Sequence, residues 1–202
     1  SDGQSNDSDS FTLTVNPAND APVIASIVDQ AINEDTSLVL DLSASDVDED
    51  ALTFSASSVD ADIVVDGTNL TVTPALDFNG TILVDVFVTD GNENDATSFI
   101  LTVNPVNDAP VLDSLSDSEV DEDTDFIMSL SSSDVDGDDL TYFAQVDGNG
   151  SALVEGTTLT VSPAADYNGP IAVTVTVSDG QSNDSDSFTL TINPVNDAPV
   201  IA

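Results

Sequence analysis

This sequence predicts a tandem series of small all-β domains, each a seven-stranded antiparallel Greek-key sandwich, and three observations predict it. Asn-Asp-Ala-Pro-Val recurs at Asn19–Val23, Asn107–Val111 and Asn196–Val200, a period of 88 and then 89 residues. Between these marks apolar residues alternate with polar ones at a period of two, the signature of half-buried strands. The alternating runs are short and are separated by clusters of Asp, Asn, Gly and Pro, as a sandwich requires.

In the first full repeat the runs are Val23–Val28, then Leu38, Leu40 and Leu42 on one face of a strand. They continue with Leu52–Ala56, Ile63–Val65 and Leu70–Val72. Two longer strands close the repeat, one facing inward with Ile82, Val84, Val86 and Val88, the other with Phe99, Leu101 and Val103. The second repeat matches with Phe126, Met128 and Leu130, with Ile171, Val173, Val175 and Val177, and with Phe188, Leu190 and Ile192. No segment keeps a 3.6-residue period. Phe78 and Tyr167, each in Pro-x-x-Asp-aromatic-Asn-Gly, are expected to plug the core at a strand corner. Residues 1–23 and 178–200 differ only at Val15/Ile192 and Ala18/Val195. The expected division is therefore a closing fragment at 1–18, full repeats at 19–106 and 107–195, and the start of another at 196–202, a window cut from a longer array.

Composition narrows the function. The chain has no Lys, Arg or His against 39 acidic residues, where about 20 basic residues would be ordinary for this length. Its formal net charge of −39 repels itself and excludes nucleic acid and anionic membrane surfaces as partners. High charge also marks disordered chains, but 40% hydrophobic residues and strict alternation argue for a folded one. There is no cysteine, so no disulfide stiffens the fold. No run approaches the roughly 18 apolar residues of a membrane span and no signal peptide is evident, so a soluble segment internal to a longer chain is expected.

The carboxylates repeat in register with the core. Glu34-Asp35 matches Glu122-Asp123, Asp46-Val47-Asp48 matches Asp134-Val135-Asp136, Asp77-Phe78-Asn79-Gly80 matches Asp166-Tyr167-Asn168-Gly169, and Asp90-Gly91 matches Asp179-Gly180. In an extended chain, residues two apart point the same way, so Asp46 and Asp48 are expected to converge while Val47 turns into the sandwich. Convergent carboxylates without cationic neighbours suit a hard metal ion such as calcium, which takes six to eight oxygens. The competing explanations are surface solvation and ordinary Asp/Asn turn chemistry. An EF-hand is excluded, because Gly137 stands fourth rather than sixth in its run and Gln145 or Ser57 holds the twelfth position.

The combination resembles the cadherin-like tandem repeats of long bacterial surface and secreted adhesins of RTX type. The resemblance rests on the linker Val106-Asn107-Asp108-Ala109-Pro110, on Glu34, on Asp46-x-Asp48, on Gly67-x-x-Leu70-x-Val72 leading to Asp77, and on Asp90-Gly91. It implies Ca2+ at the junctions between modules. The central junction would draw on Glu34, Asp77 and Asn79, on Asn107 and Asp108 of the linker, and on Asp134, Asp136 and Asp179. The upper would keep Asn19, Asp20, Asp46, Asp48 and Asp90, and the lower Glu122, Asp166, Asn168, Asn196 and Asp197. The linker departs from the usual Asp-x-Asn-Asp-Asn-x-Pro, since Asn104-Pro105 replaces the leading Asp-x and the second Asn is missing. Asp77-Phe78-Asn79 also carries one carboxylate fewer than the usual Asp-x-Glu.

An enzyme is the least supported function, since without His, Cys, Lys or Arg there is no ordinary nucleophile–base pair or anion clamp. The resemblance implies a calcium-rigidified spacer in an extracellular adhesin or surface fibre, partnered by calcium and by neighbouring repeats, with lateral self-association left open. The rival is a cadherin-like binding module for carbohydrate or homophilic cell–cell contact, which an exposed aromatic patch would favour.

Overall fold

A computed structural model describes Gly3 and residues 7–198, which divide into two compact units, Ser1–Pro105 and Val106–Ala202. The expected following repeat beyond 198 and residues 1, 2 and 4–6 of the leading fragment lie outside the described residues. Every regular element among those described is a strand.

The first unit contains β1 (Val23–Ile24), β2 (Gln30–Asn33), β3 (Leu38–Asp41), β4 (Ala44–Ser45), β5 (Thr53–Ser57), β6 (Ala61–Asp66), β7 (Asn69–Pro74), β8 (Gly80–Thr89) and β9 (Asn94–Asn104). Seven of them build a four-stranded sheet, β2-β9-β8-β5, and a three-stranded sheet, β3-β7-β6, while β1 and β4 form a short rung of their own. The second unit repeats this with β10 (Val111–Leu112), β11 (Ser118–Asp121), β12 (Phe126–Ser129), β13 (Ser132–Ser133), β14 (Thr141–Val146), β15 (Gly150–Glu155), β16 (Thr158–Pro163), β17 (Gly169–Ser178) and β18 (Asn183–Asn193). Its sheets are β11-β18-β17-β14 and β12-β16-β15, with a β10-β13 rung.

The predicted alternation places the cores. Ile82, Val84, Val86 and Val88 of β8 are buried against Leu70 and Val72 of the opposing sheet, as Ile171, Val173, Val175 and Val177 are against Leu159 and Val161. These β-branched residues pack well on a pleated face and point one way because successive side chains point to opposite sides. Phe78 and Tyr167 pack against the two cores, and the Tyr167 hydroxyl donates to the Pro170 carbonyl at 2.8 Å.

Two features depart from the expected strands. The run Val23–Val28 is a strand only at Val23–Ile24, and the chain then crosses to β2, which pairs with β9 in parallel from Gln30↔Leu101 to Asn33↔Asn104. β11 pairs with β18 in the same way. The other ladders are antiparallel. The near-copy of β18 at residues 7–16 forms no strand, and its Leu13 is 76% exposed where Leu190 is fully buried. β18 is flanked by β17 and β11; a strand exists only where neighbours accept its backbone hydrogen bonds.

Candidate metal centres

Each unit gathers its repeated carboxylates into two groups at separate places. The first group begins where β4 ends. Asp48 donates its backbone N–H to Asp46 Oδ1 at 2.8 Å and Asp50 donates to the same oxygen at 3.4 Å. Glu49 between them is left-handed with φ 64°, and its counterpart Gly137 has φ 76°. That reversal brings a third acid round, so that Asp46, Asp48 and Asp50 each place an oxygen within 4.8 Å of the others, as do Asp134, Asp136 and Asp138.

The carboxylates therefore converge, but through a turn rather than an extended strand. Val47 and Val135 do not enter the sandwich; they are 79% and 60% exposed. At Asp46 an Asx-type bond to the backbone two residues on competes successfully with strand geometry, and at Asp134 the carboxylate accepts the Asp138 N–H four residues on at 3.3 Å.

The linker residues dock onto this group. Asp20 donates its backbone N–H to Asp48 at 2.8 Å, and Asp108 donates to Asp136 at 2.7 Å. The Asn19 amide donates to Asp90 at 2.9 Å and the Asn107 amide to Asp179 at 2.9 Å. Asp90 and Asp179 occupy the turns after β8 and β17. Asp90 is held below the ordinary carboxylate range by the Glu93 backbone N–H, the Asn19 amide and the Asn92 N–H. Asp179 is held low by the Asn107 amide first, then by the Ser182 and Gln181 N–H groups. Asp138 moves the other way, raised by loss of hydration and then by the charges of Asp134 and Asp136.

The second group surrounds a buried glutamate. Glu34 and Glu122 are only 3% and 5% exposed, the two buried charged side chains among the described residues. Each directly follows the parallel strand of its unit and extends that ladder by one bond, Glu34 N–H to the Asn104 carbonyl at 3.0 Å and Glu122 N–H to the Asn193 carbonyl at 2.9 Å. The Asn79 amide reaches Glu34 Oε2 at 3.4 Å, and Glu122 Oε1 accepts the Val195 N–H at 2.6 Å. Asp77 donates its N–H to Asp35 at 3.1 Å and Asp166 donates to Asp123 at 3.4 Å. Asn168 takes the place of Asn79 ahead of β17.

In the second unit Asp123, Asp166 and Asp197 bring oxygens within 4.8 Å of one another, and the Asn196 amide donates to the Asp197 carbonyl at 3.1 Å. Loss of hydration, followed by the charges of Asp166, Glu122 and Asp123, raises Asp197.

Sequence reasoning did not include Asp50, Asp138, Asp35 or Asp123 among the ligands. Their signal was present, because both pairs recur at the 88-residue spacing.

One observation tests whether these groups fit a cation. Asp46 Oδ2 and Asp134 Oδ2 are shut off from solvent with no hydrogen-bond partner. An enclosed carboxylate oxygen is costly unless a positive charge or a donor meets it, and this chain has no cationic side chain. The donor set is wholly oxygen, which selects hard cations over zinc or copper. The residues fit calcium.

A family model described as a cadherin-like domain matches the chain twice, at residues 18–104 and 106–193. No curated protein sequence matches. Among solved structures, human protocadherin-24 EC1-2 in its form II crystal is similar with a TM-score of 0.55 and 19% identity, covering 89% of this chain and 100% of that one. Human mucin-like protocadherin EC1-2 gives 0.51 and 17%, covering 86% and 98%. An endo-fucoidan hydrolase of glycoside hydrolase family 107 gives 0.39 and 18%, covering 91% of this chain and 30% of the enzyme, so the chain spans under a third of that protein's length. At these identities the likeness is one of fold.

Proposed function

The chain belongs to the cadherin-like domain family, whose model matches it at 18–104 and again at 106–193, and from that premise we propose that it is a calcium-stiffened spacer in a long extracellular bacterial adhesin or surface fibre. Its repeating units run over 19–106 and 107–195.

The observation that carries this reading is the pair of enclosed, unpartnered oxygens on Asp46 and Asp134, each amid a three-aspartate turn that recurs in both units. Bound calcium supplies the positive charge and the six to eight coordination positions that such oxygens need. The chain's own residues do the rest. Left-handed backbone at Glu49 and Gly137 gathers the acids; the Glu93 N–H and then the Asn19 amide hold Asp90 low, and the Asn107 amide holds Asp179 low.

The linker supports a role at module junctions. At two linker positions, Asp20 and Asp108, the backbone is bonded to the carboxylate turn of the module that follows. At the third, Asp197 joins Asp123 and Asp166 of the module that precedes it. The ligand set that the family resemblance implies for a shared ion is then Glu34, Asp77 and Asn79 of one module, Asn107 and Asp108 of the linker, and Asp134, Asp136 and Asp179 of the next. Extracellular modules bind calcium at about 0.1–1 mM, so the spacer would be slack at cytosolic calcium and firm outside the cell.

Small-angle X-ray scattering of the 202-residue chain, titrated from chelator to about 10 mM calcium at constant ionic strength, tests this. The maximum dimension should grow and sharpen near millimolar calcium, and Asp134→Ala should blunt the change. A profile indifferent to calcium refutes the spacer mechanism.

A further inference from the structure

Both units also present a surface unlike the rest of the chain. Five phenylalanines, Phe54, Phe78, Phe99, Phe126 and Phe188, pack in the cores. Phe87 and Phe143 instead lie on the outer face of the four-stranded sheets, 38% and 57% exposed.

They occupy the same cross-strand pair. Phe87 on β8 faces Ser55 on β5, and Phe143 on β14 faces Thr176 on β17. Ser55 and Phe143 are equivalent positions in the repeat, as are Phe87 and Thr176. The ring has changed strands between modules while its place on the sheet is kept.

The ground around it carries few charges. In the second unit the outward residues are Thr141, Phe143 and Gln145 on β14 and Ala172, Thr174 and Thr176 on β17. Every second residue of β18 from Asn183 to Thr191 is likewise uncharged, and the charges of this face, Glu119 and Asp121, stand on the far edge strand β11. In the first unit Asp85 is the single charge on the matching face of β5, β8 and β9. Charged residues make up 19% of this chain and all are acidic, so such faces stand apart. Beside Phe143, residues Ala144, Gln145, Thr174 and Thr176 complete a shallow hollow of about 140 Å³.

We infer that this face binds a neutral polysaccharide, one stacking position per module. Three arguments select that occupant. Carboxylates only accept hydrogen bonds, whereas threonine hydroxyls and the Gln145 amide both donate and accept, as sugar hydroxyls require. The phenylalanine ring supplies an apolar plate for the C–H face of a pyranose. An anionic polymer would meet a chain of net charge −39 that has no cationic side chain to pair with it.

A second copy fits less well. In the second unit β14, β17 and β18, six, ten and eleven residues long and about 4.8 Å apart, present roughly 430 Å². A stable interface needs about 800 Å² from each partner; the second unit's face is hydroxyl-rich, and the first unit's adds only Leu83 and Ile100 to Phe87 as exposed large apolar residues. The site lies within one module, so it stands independently of the calcium reading.

Affinity electrophoresis of the intact chain in about 2 mM calcium tests it, in gels containing dextran, a soluble β-1,3-glucan or mannan, with anionic alginate for contrast. At least one neutral polymer should retard the protein and alginate should not. Phe87→Ala with Phe143→Ala should weaken the retardation about tenfold, with the melting temperature unchanged because both rings lie outside the cores. Thr176→Asp, which leaves Phe143 in place, should weaken it at the second module by charging the face. Retardation by none of the three neutral polymers overturns the inference, as does retardation that survives both changes. Sedimentation velocity that detects a self-associated species dispersed by Phe143→Ala would assign the face to a second copy instead, and overturn it equally.

Discussion

Replacing Asp134 by asparagine should change the stability of the second unit in opposite directions with and without calcium. Asp134 Oδ2 is enclosed without a partner, and leaving such an atom unsatisfied costs about 1–3 kcal/mol. The substituted side chain would carry no charge, and its amide could donate to Asp136 or Asp138, whose oxygens lie within 4.8 Å of the Asp134 carboxylate. In chelator the variant should therefore gain about 1 kcal/mol, a rise of about 4–8 °C for a domain of this size. At calcium about 10 to 100 times the dissociation constant, the bound ion stabilises the parent by about 1.4–2.7 kcal/mol. The variant, short of one charged ligand, should keep little of that. Calorimetric melts of both proteins in chelator and in about 10 mM calcium, at one ionic strength, should thus cross. A variant that melts lower by the same amount in both media refutes the reasoning, because Asp134 would then be an ordinary turn-capping residue.

Leu190→Ala should cost about 2–5 kcal/mol through the cavity it leaves, whereas Leu13→Ala, at the matching position of the near-copy and 76% exposed, should leave the denaturation midpoint unchanged. Asp186 accepts the Leu115 and Ser187 N–H groups at 2.8 Å each, and these hold its carboxyl below the ordinary carboxylate range. The folded state then takes up this proton less readily than the unfolded one. Its stabilising contribution is complete above the unfolded value and is lost as pH falls through the folded value. Carbon-detected NMR titration should show the low midpoint, and Asp186→Asn should flatten the acid limb of stability against pH. Glu49→Gly copies the second unit at a left-handed position; it should raise the first unit's stability by less than about 1 kcal/mol, since relief of strain is offset by a freer unfolded chain, as urea denaturation would measure.

What could be read from the residues followed the strength of local patterns. Val84 and Val175 announce their burial because ten-residue strands alternate without interruption. β2 was invisible for the opposite reason. Gln30–Asn33 offers only Ala31 and Ile32 as apolar residues, and its hydrogen-bond partner is Leu101–Asn104, some 70 residues away. The carboxylate clusters were legible from their register, yet the reason given for convergence was mistaken at Val47. Period-two geometry applies inside a strand, and β4 ends at Ser45. Asp50 and Asp138 escaped for the same reason, since only the reversal at Glu49 and Gly137 brings them in. Phe87 and Phe143 each look like ordinary strand residues; their shared place emerges only when β5 is laid against β8, and β14 against β17.

The parallel pairing of β2 with β9 has a mechanical consequence. The two strands lie near opposite ends of the unit's sequence, so a pull on those ends slides them past each other lengthwise. Their four paired residues, and the Glu34–Asn104 bond that extends the ladder, are then strained together rather than unzipped singly. β11 and β18 repeat the arrangement, with Glu122 and Asn193 at the end of the ladder. Resistance to tension in each module is thus concentrated in a strip a few residues long, and its last rung is anchored by the same glutamate that the lower carboxylate group encloses.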